Sequence, residues 1–318
     1  MDEAILDVIV PAFRERHLRV ALDSLSAQRD RRFRVLVGDD SSPDGLGKIC
    51  TEYADRMSIQ YHRFAENLGS TNLVAQWNRC VRLGESPWVW LFSDDDVASP
   101  GCVGAIRSAL AAGAPLVRLD VRVVGPTGEI LDVPPDPPAL ESRDAFLWQR
   151  LKRRRESFAV EYAFSRERWE SIGGFVDLPA AWCSDDASWL ALAGEDGICH
   201  APGGWVGWRW SGENISASHG RDAEKLEACL RFLESIGPAG WEKLELHMGL
   251  APGVGASAAL EWFWFHLAGL GLVIGPLKAG RIEARLVDAL GGFARGTRGR
   301  LLRKSLRGIK DRLFGRTR

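Results

Sequence analysis

The sequence predicts an α/β fold: a doubly wound, mostly parallel sheet with helices on both faces, followed by a C-terminal helical extension. Over the first 216 residues, short apolar runs alternate with segments whose apolar residues follow helical spacing. The loops between them are short and hold turn formers and carboxylates. Alternation of this kind, closed by right-handed crossovers, predicts parallel strands in one open sheet.

The N-terminal part supplies three strand–helix pairs. Residues 5–10 form a β-branched run that ends at Pro11, and helical spacing then continues to about residue 28. Apolar runs at 33–37 and 59–64 predict the next two strands. Helical segments follow them at 46–57 and up to residue 83.

The central strand is predicted at 88–92, five bulky apolar residues that lead into Asp94, Asp95 and Asp96. An unbroken apolar run is typical of a strand buried on both faces. Ligands of open α/β sheets bind at the carboxyl ends of the strands. Three adjacent carboxylates repel one another, so we expect a hard divalent cation that itself holds a phosphate. A solvated acidic turn is the simpler alternative.

The remaining elements follow the same patterns. Pro100 and Gly101 open a helix to about residue 112, and Ser184, Asp185 and Asp186 are suited to the N-terminus of another. The other segments are a strand at 116–124, a surface excursion at 125–138, a basic helix at 143–155, a strand at 158–165, a helix at 187–193 and a strand pair at 198–210.

Composition bounds the class of protein. With 318 residues, 46% of them apolar, the chain has enough apolar residues for a sizeable core. The six cysteines are scattered without metal-like spacing, which indicates reduced thiols rather than a disulfide framework. The acidic start lacks a hydrophobic signal segment, so we expect a cytoplasmic protein.

Charge is divided unevenly along the chain. Residues 295–318 hold ten basic residues and one acidic residue, whereas residues 1–294 hold 31 and 41, so a +9 tail follows a body of −10. In the tail, one predicted helix face carries Leu302, Leu306, Ile309 and Leu313. We expect it to lie on an anionic membrane at the inner face. A solvated face, a nucleic-acid contact or a partner helix are the alternatives.

The region before the tail is expected to be helical, at 222–235 and 241–250. Residues 254–277 contain only Glu261 and His266 as titratable groups, but Glu261 leaves too short an uncharged run for a membrane span. A buried or interfacial helix is the interpretation. The predicted organisation is a sheet domain at 1–218, a helical extension with an apolar helix at 219–294 and a basic amphipathic tail at 295–318.

Several short motifs, in this order and spacing, resemble those of family 2 glycosyltransferases with the GT-A fold. The resemblance covers the first 216 residues and not the last hundred. The motifs are Val8 to Phe13, Asp39 to Asp44, Asn67 to Gly69, Asn78, Ser93 to Asp96 with Pro100, Gly173 to Phe175, Asp185, and Trp208 to Ser216.

The resemblance implies a nucleoside diphosphate sugar as donor. Pro11, Ala12, Phe13 and Asp39 stand where the family holds the nucleotide base, and Asn67 is assigned with them. A carboxylate at Asp39 is suited to accept the ring N–H of the base. Arg14 departs from the family, which usually has Asn there.

The family's acidic motif has Asp-x-Asp-Asp with a proline four residues beyond. Counting from Asn78 and from Pro100 gives the same register, in which Ser93 replaces the first carboxylate. The resemblance then implies Asp95 and Asp96 as ligands of Mn²⁺ or Mg²⁺. Asp94 is assigned to the ribose or diphosphate side of the donor.

The resemblance also implies Asp185 as the general base of an inverting transfer, with Asp186 in reserve and Ser184 in place of the family's Glu. Simple capping of the helix by both carboxylates is the alternative. Arg209 is assigned as a bidentate diphosphate clamp, or else as a surface salt bridge. The loop at 211–216 is expected to close over the donor.

The sequence therefore predicts a metal-dependent inverting glycosyltransferase. It would act on a hydroxyl of a glycan or lipid-linked acceptor in cell-surface polysaccharide synthesis, and no nucleic-acid partner is expected. One rival is a nucleotidyltransferase on the same fold, although residues 11–16 contain charges but no glycine. The other is a catalytically weak sugar-nucleotide-binding scaffold, suggested by Ser93 and Ser184.

Overall fold

One mixed sheet organises the N-terminal two thirds of the chain. The structure, a computed structural model, describes residues 6–210, 221–270, 272 and 274–303. The strands are β1 Leu6–Ala12, β2 Phe33–Asp39, β3 Ile59–Arg63, β4 Trp88–Leu91, β5 Val97–Ala98, β6 Leu116–Val124, β7 Ile130–Asp132, β8 Leu140–Glu141, β9 Tyr162–Ser165 and β10 Ile198–Arg209. Their order is β3-β2-β1-β4-β9-β6-β10-β5, with β7 on β6 and β8 on β10.

The helices alternate with these strands and then follow them. They are α1 Glu15–Ser26, α2 Leu46–Thr51, α3 Leu73–Val81, α4 Cys102–Ala111, α5 Arg143–Leu151, α6 Arg166–Ser171, α7 Ser184–Ala193, α8 Asp222–His247, α9 Val254–Gly269 and α10 Pro276–Leu290. Helix α8 is interrupted at Gly237, whose φ of 64° precedes Pro238. The two helices predicted there are therefore two arms of one interrupted helix.

The first half of the sheet, β3-β2-β1-β4, is parallel. Strand β1 pairs in parallel with both β2 and β4, and β2 pairs in parallel with β3, so their carboxyl ends share one edge. Strand β9 lies antiparallel between β4 and β6. Its first residue, Tyr162, therefore lies at the same edge. The predicted α/β class is confirmed, but the sheet is mixed rather than mostly parallel: among the described strands, four pairings are parallel and five are antiparallel.

Two local predictions differ from the structure. The strand expected at 158–165 begins as a 3-10 turn at Ala159–Glu161, because the Glu161 side chain accepts the Phe158 N–H (2.8 Å) and closes a turn. The strand pair expected at 198–210 is one strand, β10, with a register shift between His200 and Trp205. The shift falls around the Pro202-Gly203-Gly204 run, where a regular ladder is difficult to keep.

Helices cover both faces of the sheet. The first face packs α1, α2 and α4 onto alternating strand residues such as Val8, Trp90 and Ala163. Phe164, the neighbour of Ala163, points to the second face, where its ring lies 5.4 Å from Phe175 and 6.1 Å from Trp189 of α7. Burial of both faces explains why the apolar runs of these strands are unbroken.

Gly101, the N-cap residue of α4, and Gly104 inside the helix give a test of packing. A Cβ at Gly101 would lie 2.1 Å from the Gly203 carbonyl oxygen, whereas a Cβ at Gly104 would meet nothing within 4 Å. We expect Gly101→Ala to destabilise the fold by roughly 1–3 kcal/mol. Gly104→Ala should stabilise it by about 0.5–1 kcal/mol, because alanine favours a helix interior. Urea unfolding of both variants measures this, and equal effects would contradict the close backbone approach.

By its contacts the chain divides into two compact units. The first unit comprises Met1–Arg143, Glu156–Asp177 and Ser184–Asn214, and the second comprises Asp144–Arg155, Leu178–Cys183 and Ile215–Arg318. The second unit thus includes two segments that the sequence analysis assigned to the sheet domain. The predicted division at residue 218 stays a prediction for the rest of the chain.

The second unit is helical and packs around aromatic residues. Trp262 and Phe263 of α9 are buried, and the Trp241 Nε1–H donates to the Ala289 carbonyl at 2.8 Å. Within the described residues, no helix is both long and apolar enough to cross a membrane. Of the predicted tail, residues 297–303 are helical and bury Leu301, whereas Leu306, Ile309 and Leu313 lie outside the described residues.

The second unit also contains a histidine that should make stability depend on pH. Burial lowers the pKa of His266 to about 4, and Arg150 and Arg153 act in the same direction. Below about pH 6.5 the unfolded chain therefore binds a proton that the folded chain does not. Stability should consequently fall by about 2–3 kcal/mol as pH drops from 6.5 to 4.

The variant His266→Gln tests this through the slope rather than the level of stability. Its unfolding free energy in urea should change less with pH between 4 and 6.5 than that of the parent. Loss of the ring contact with Trp262 lowers the free energy of unfolding at every pH and leaves this slope unaffected. The exposed His62 provides the control, because His62→Gln should keep the parental slope. Parallel curves for the parent and His266→Gln would contradict the prediction.

Candidate active site

A carboxylate just after β4 accepts hydrogen bonds from the loop that follows β1. The Asp94 Oδ2 accepts hydrogen bonds from the backbone N–H groups of Phe13 (2.9 Å) and Arg14 (3.2 Å). Burial raises the pKa of Asp94, and these two N–H groups oppose the rise. The structure thus brings together two motifs that lie about 80 residues apart in the sequence. The loop of Pro11, Ala12 and Phe13 is held by the first carboxylate of the triplet.

The carboxylate of Asp39 is buried at the end of β2. Its Oδ1 accepts the Ser42 N–H at 2.7 Å, and its Oδ2 accepts from the Arg63 Nη1 at 2.8 Å and from the Tyr61 hydroxyl. Neither Tyr61 nor Arg63 was predicted from the sequence. They stand two residues apart in β3 and so share a face, but only the pairing of Asp39 with Arg63 in the sheet shows what that face meets.

Asp40 holds the loop that contains Asn67. It accepts the N–H groups of Leu68 (2.9 Å) and Gly69 (2.7 Å) and the guanidinium of Arg79. The Asn67 Oδ1 accepts the Ser70 N–H at 2.9 Å and closes the turn. This explains the short Asn67 to Gly69 motif, since a Cβ at Gly69 would lie 2.7 Å from the Asp40 carboxylate.

A further motif carboxylate, Asp44, caps α1 from outside the helix. Its Oδ2 accepts the Glu15 N–H at 3.0 Å, while the residue before α1, Arg14, provides no side-chain cap. The carboxylate also opposes the positive end of the helix dipole. Of the motif carboxylates Asp39, Asp40 and Asp44, the last two therefore shape loops around the site.

Asp95 and Asp96 form the acidic centre of this edge. Burial and the neighbouring charge of Asp94 raise the pKa of Asp95 to about 6. Burial and the charge of Asp95 raise the pKa of Asp96 well above its usual range. The Ser93 hydroxyl, at the position where the family has a carboxylate, hydrogen-bonds to Asp96. The protein thus confines more negative charge here than the surrounding groups neutralise.

Arg209, the last residue of β10, is joined to the same loop. Its backbone N–H donates to the Asp96 Oδ1 at 2.8 Å, and its Nε donates to the Asp95 carbonyl at 2.7 Å. Its Nη1 donates to the carbonyls of Gly125 (2.9 Å) and Pro126 (3.3 Å). The side chain is only 2% exposed, so it is buried rather than at the surface.

The acidic centre provides two carboxylates suited to a cation. Among the residues that the structure describes, no group of three or more His, Cys, Asp or Glu side chains is arranged to hold a metal ion. Mg²⁺ sites that bind nucleotides commonly use one or two carboxylates, with phosphates and water as the other ligands. The raised pKa values of Asp95 and Asp96 fit such a site, because a bound cation would favour the charged forms that burial and the neighbouring carboxylates disfavour.

The second pair of carboxylates lies in the first turn of α7. The helix begins at Ser184, earlier than the predicted residue 187, so both Asp185 and Asp186 face its positive end. Asp186 is buried and its N–H donates to the Asp185 Oδ1 at 2.9 Å, while Asp185 is half-buried. The charge of Asp186 helps burial to raise the pKa of Tyr162, which stands at the ligand edge of the sheet. Trp189 of α7 stacks on the Tyr162 ring with centroids 4.4 Å apart, so α7 packs against the residue that begins β9 at this edge.

Two other motif pieces meet behind the site. The Asn78 side chain of α3 accepts the Phe175 N–H at 2.9 Å, and Gly174 adopts a φ of 100°. A Cβ at Gly174 would lie 2.8 Å from the Asn78 oxygen, so the turn requires glycine. The structure thus joins the predicted motifs in pairs: Phe13 with Asp94, Asp40 with the loop of Asn67, Arg209 with Asp96, and Asn78 with Phe175. The loop at 211–216 lies outside the described residues.

The comparisons with known proteins agree with this geometry. Residues 7–164 match the model described as Glycosyl transferase family 2. The chain belongs to this family, and its sheet has the GT-A arrangement that the sequence predicted. Validoxylamine A glucosyltransferase of Streptomyces hygroscopicus subsp. limoneus is 32% identical over 114 residues. The aligned part is 35% of this chain but only 25% of that relative, so the chain matches about a quarter of its length.

Solved structures show the same fold at low identity. S. aureus TarS residues 1–349, in complex with UDP-GlcNAc, has a TM-score of 0.63 at 14% identity, covering 98% of this chain and 92% of that one. The mannosyltransferase PcManGT from Pyrobaculum calidifontis, in complex with GDP-Man and Mn²⁺, has a TM-score of 0.50 at 16% identity, covering 99% and 88%.

Proposed function

We propose that this protein is an inverting glycosyltransferase, which moves a sugar from a nucleoside diphosphate sugar to a hydroxyl of a glycan or lipid-linked acceptor. The observation that carries the proposal is the edge of the sheet where the carboxyl ends of β1, β2 and β4 bring the acidic motifs together. Asp94 binds the first loop, Asp39 lies buried beside it, and Asp95 and Asp96 hold excess negative charge at the same edge. The role in cell-surface polysaccharide synthesis is part of the proposal.

In this proposal the donor's nucleotide lies over the ends of β1 and β2. Pro11, Ala12 and Phe13 line the base, and Asp39 accepts its ring N–H. Arg63 and Tyr61 hold the Asp39 carboxylate in place, since both donate to its Oδ2. A nucleotide donor is supported by the neighbouring folds, because TarS was solved with UDP-GlcNAc and PcManGT with GDP-Man.

Asp95 and Asp96 are proposed to hold Mn²⁺ or Mg²⁺ together with the donor's diphosphate. When bound, such an ion supplies charge neutralisation of the leaving diphosphate. Asp94 contributes to the ribose or diphosphate side of the site. PcManGT was solved with Mn²⁺, which supports the choice of metal.

Arg209 is proposed to act on the diphosphate by its charge rather than as a bidentate clamp. Its Nε and Nη1 already donate to backbone carbonyls, so they do not also make two parallel hydrogen bonds to the diphosphate. A buried guanidinium beside Asp95 still attracts phosphate in a site of low dielectric constant. The same bonds fix the backbone of Asp95 and the turn at Gly125.

Asp185 is proposed as the general base, with Asp186 in reserve. The acceptor hydroxyl gives its proton to the Asp185 carboxylate while its oxygen bonds to the anomeric carbon. The bond between that carbon and the diphosphate oxygen breaks with its electron pair, and the configuration inverts. The half-buried Asp185 suits this role better than the buried Asp186, because a base must reach the acceptor.

A screen of nucleotide sugars tests the proposed function. Thermal unfolding of the full chain is measured with UDP-, GDP- and dTDP-sugars, each with Mn²⁺ and with a chelator. A bound donor should raise the melting temperature, and Mn²⁺ should increase the shift. Incubation of the protein with the best donor and a membrane lipid extract should then release nucleoside diphosphate.

The other readings predict different results of the same experiment. A nucleotidyltransferase would consume a nucleoside triphosphate and a sugar phosphate and release pyrophosphate. A scaffold would bind a nucleotide sugar, with a melting shift, but release no nucleoside diphosphate with any acceptor extract. Either result would overturn the proposal of sugar transfer.

A further inference from the structure

An outward stripe of α10 combines cations with one large apolar side chain. The helix buries Ala279, Ile282, Leu286 and Ala289 and exposes its opposite side. At its start, Leu277 is 83% exposed beside the exposed Lys278 and Arg281. A single exposed leucine is common on protein surfaces, so it is the two neighbouring cations that distinguish Leu277 from Leu246, which is 79% exposed.

The helical residues 297–303 extend this stripe. They bury Thr297 and Leu301 and expose Arg298, Arg300 and Arg303. A Cβ built at Gly280 would lie 3.9 Å from the Cζ of Arg298, and the Arg300 Cζ lies 4.5 Å from the centroid of the Trp264 ring. Arg298 therefore lies beside Gly280 of α10, next to Arg281 in the sequence, whereas Arg300 lies against Trp264 of α9. We define the cationic face as Leu277, Lys278, Arg281 and Arg298.

The charge of this face is not balanced along its own elements. Residues 274–303 hold seven basic residues and two acidic residues, Glu283 and Asp288. Of the seven, Arg285 already pairs with Glu227 and Glu234. Residues 304–318 continue in the sequence with six more basic residues and one acidic residue. A like-charged surface of this density attracts a polyanionic partner.

We propose that the cationic face docks on an anionic lipid bilayer, with Leu277 entering the interface and the arginines and lysine lying among the head groups. Cations near an anionic leaflet are attracted to it, and an apolar side chain between them adds burial. The proposal goes beyond sugar transfer. It also moves the lipid contact from the tail residue Leu302, which is half-buried next to the buried Leu301, to Leu277 of α10.

Vesicle co-sedimentation of the full chain tests the proposal. The probes are vesicles of phosphatidylcholine alone and of phosphatidylcholine mixed with phosphatidylglycerol. The parent protein should sediment with the mixed vesicles, and high salt should release it. Leu277→Glu should weaken this binding by about tenfold, because it replaces a membrane-entering leucine with a charge.

Two matched controls separate docking from general effects of charge. Leu246 of α8 is 79% exposed, so Leu246→Glu makes the same chemical change outside the cationic face. The double variant Arg281→Glu and Arg298→Glu should weaken binding by more than about tenfold. Lys48→Glu with Lys243→Glu changes the net charge equally, at exposed positions elsewhere, and should weaken binding much less. Melting curves confirm that each variant folds.

Three results would overturn the proposal. The parent binding both vesicle types equally would remove the requirement for anionic lipid. Equal binding by Leu277→Glu and Leu246→Glu would mean that the face does not enter the interface. Tight binding of poly-adenylate RNA would indicate a nucleic-acid surface if it is stronger than the binding of vesicles and is unchanged in Leu277→Glu. Donor-induced melting shifts should be unchanged in these variants, so failure here is distinguishable from failure of the proposed transfer.

Discussion

Replacing Asp185 with asparagine is expected to lower the turnover of sugar transfer by about 10²–10⁴-fold. Asparagine keeps the shape of the side chain but does not accept the proton of the acceptor hydroxyl. Binding of the donor should change little, because the proposed donor contacts lie at the ends of β1, β2 and β4. Steady-state kinetics with the identified donor measure both quantities, as a loss in kcat with nearly constant KM for the donor.

The neighbouring carboxylates provide the controls for this prediction. Asp186→Asn should reduce turnover less than Asp185→Asn, since Asp186 is buried in the first turn of α7. Asp196 lies beyond the other end of α7 and pairs with Arg168, so Asp196→Asn should transfer at the parental rate. A reversed order, with Asp186→Asn the more damaging, would assign the base to Asp186. Parental turnover in both would leave the two carboxylates as helix caps only.

Replacing Asp95 with asparagine is expected to abolish transfer to the limit of detection at concentrations of Mn²⁺ that saturate the parent. Asparagine at this position removes one of two carboxylates proposed to hold the cation, and the diphosphate then loses its neutralisation. The Mn²⁺-dependent part of the donor's melting shift should be lost. Titration of Mn²⁺ against transfer and against the melting shift measures the effect.

The same substitution should also change stability in the absence of metal, in the opposite direction. Because burial and Asp94 raise the pKa of Asp95, the charged side chain is unfavourable in the folded state near neutral pH. Asp95→Asn should therefore raise the melting temperature in chelator while it removes activity. The exposed Asp55 is the control, and Asp55→Asn should alter neither property. Full activity of Asp95→Asn would refute the assignment of the metal ligand.

The strands could be predicted from the sequence because their signal is local. The apolar runs at 8–10 in β1, 35–37 in β2 and 88–92 at β4 are continuous, since they are buried on both faces, and a run of that kind is visible without any partner. In β6, Arg118, Asp120 and Arg122 interrupt the apolar residues. The start of β9 was placed too early for a related reason. The turn at Ala159–Glu161 depends on one side-chain bond from Glu161 to the Phe158 N–H, and apolar spacing does not reveal such a bond.

In the candidate site, too, some residues could be predicted from the sequence and others could not. Asp39, Asp94, Asp95 and Asp96 were identifiable because carboxylates that follow buried strands are chemically out of place unless they bind something. Tyr61 and Arg63 were missed, because their importance arises from the register of β3 against β2. The bonds of Arg209 were missed too, since they run to carbonyl groups, which every residue has.

The acidic triplet, Asp94 to Asp96, shows most clearly what the sequence determines and what only the tertiary structure determines. The sequence by itself determined that three carboxylates follow a buried strand and predicted a cation beside them, because like charges repel wherever they are confined. The resemblance to the family placed Ser93 at the position of a further carboxylate. Only the tertiary structure gave the three carboxylates different environments. Asp94 is bound to the first loop because β1 lies beside β4, and Asp96 meets Arg209 because β10 ends beside the same loop. Strand order is set by packing across the whole sheet, and it is not encoded in the residues of the triplet.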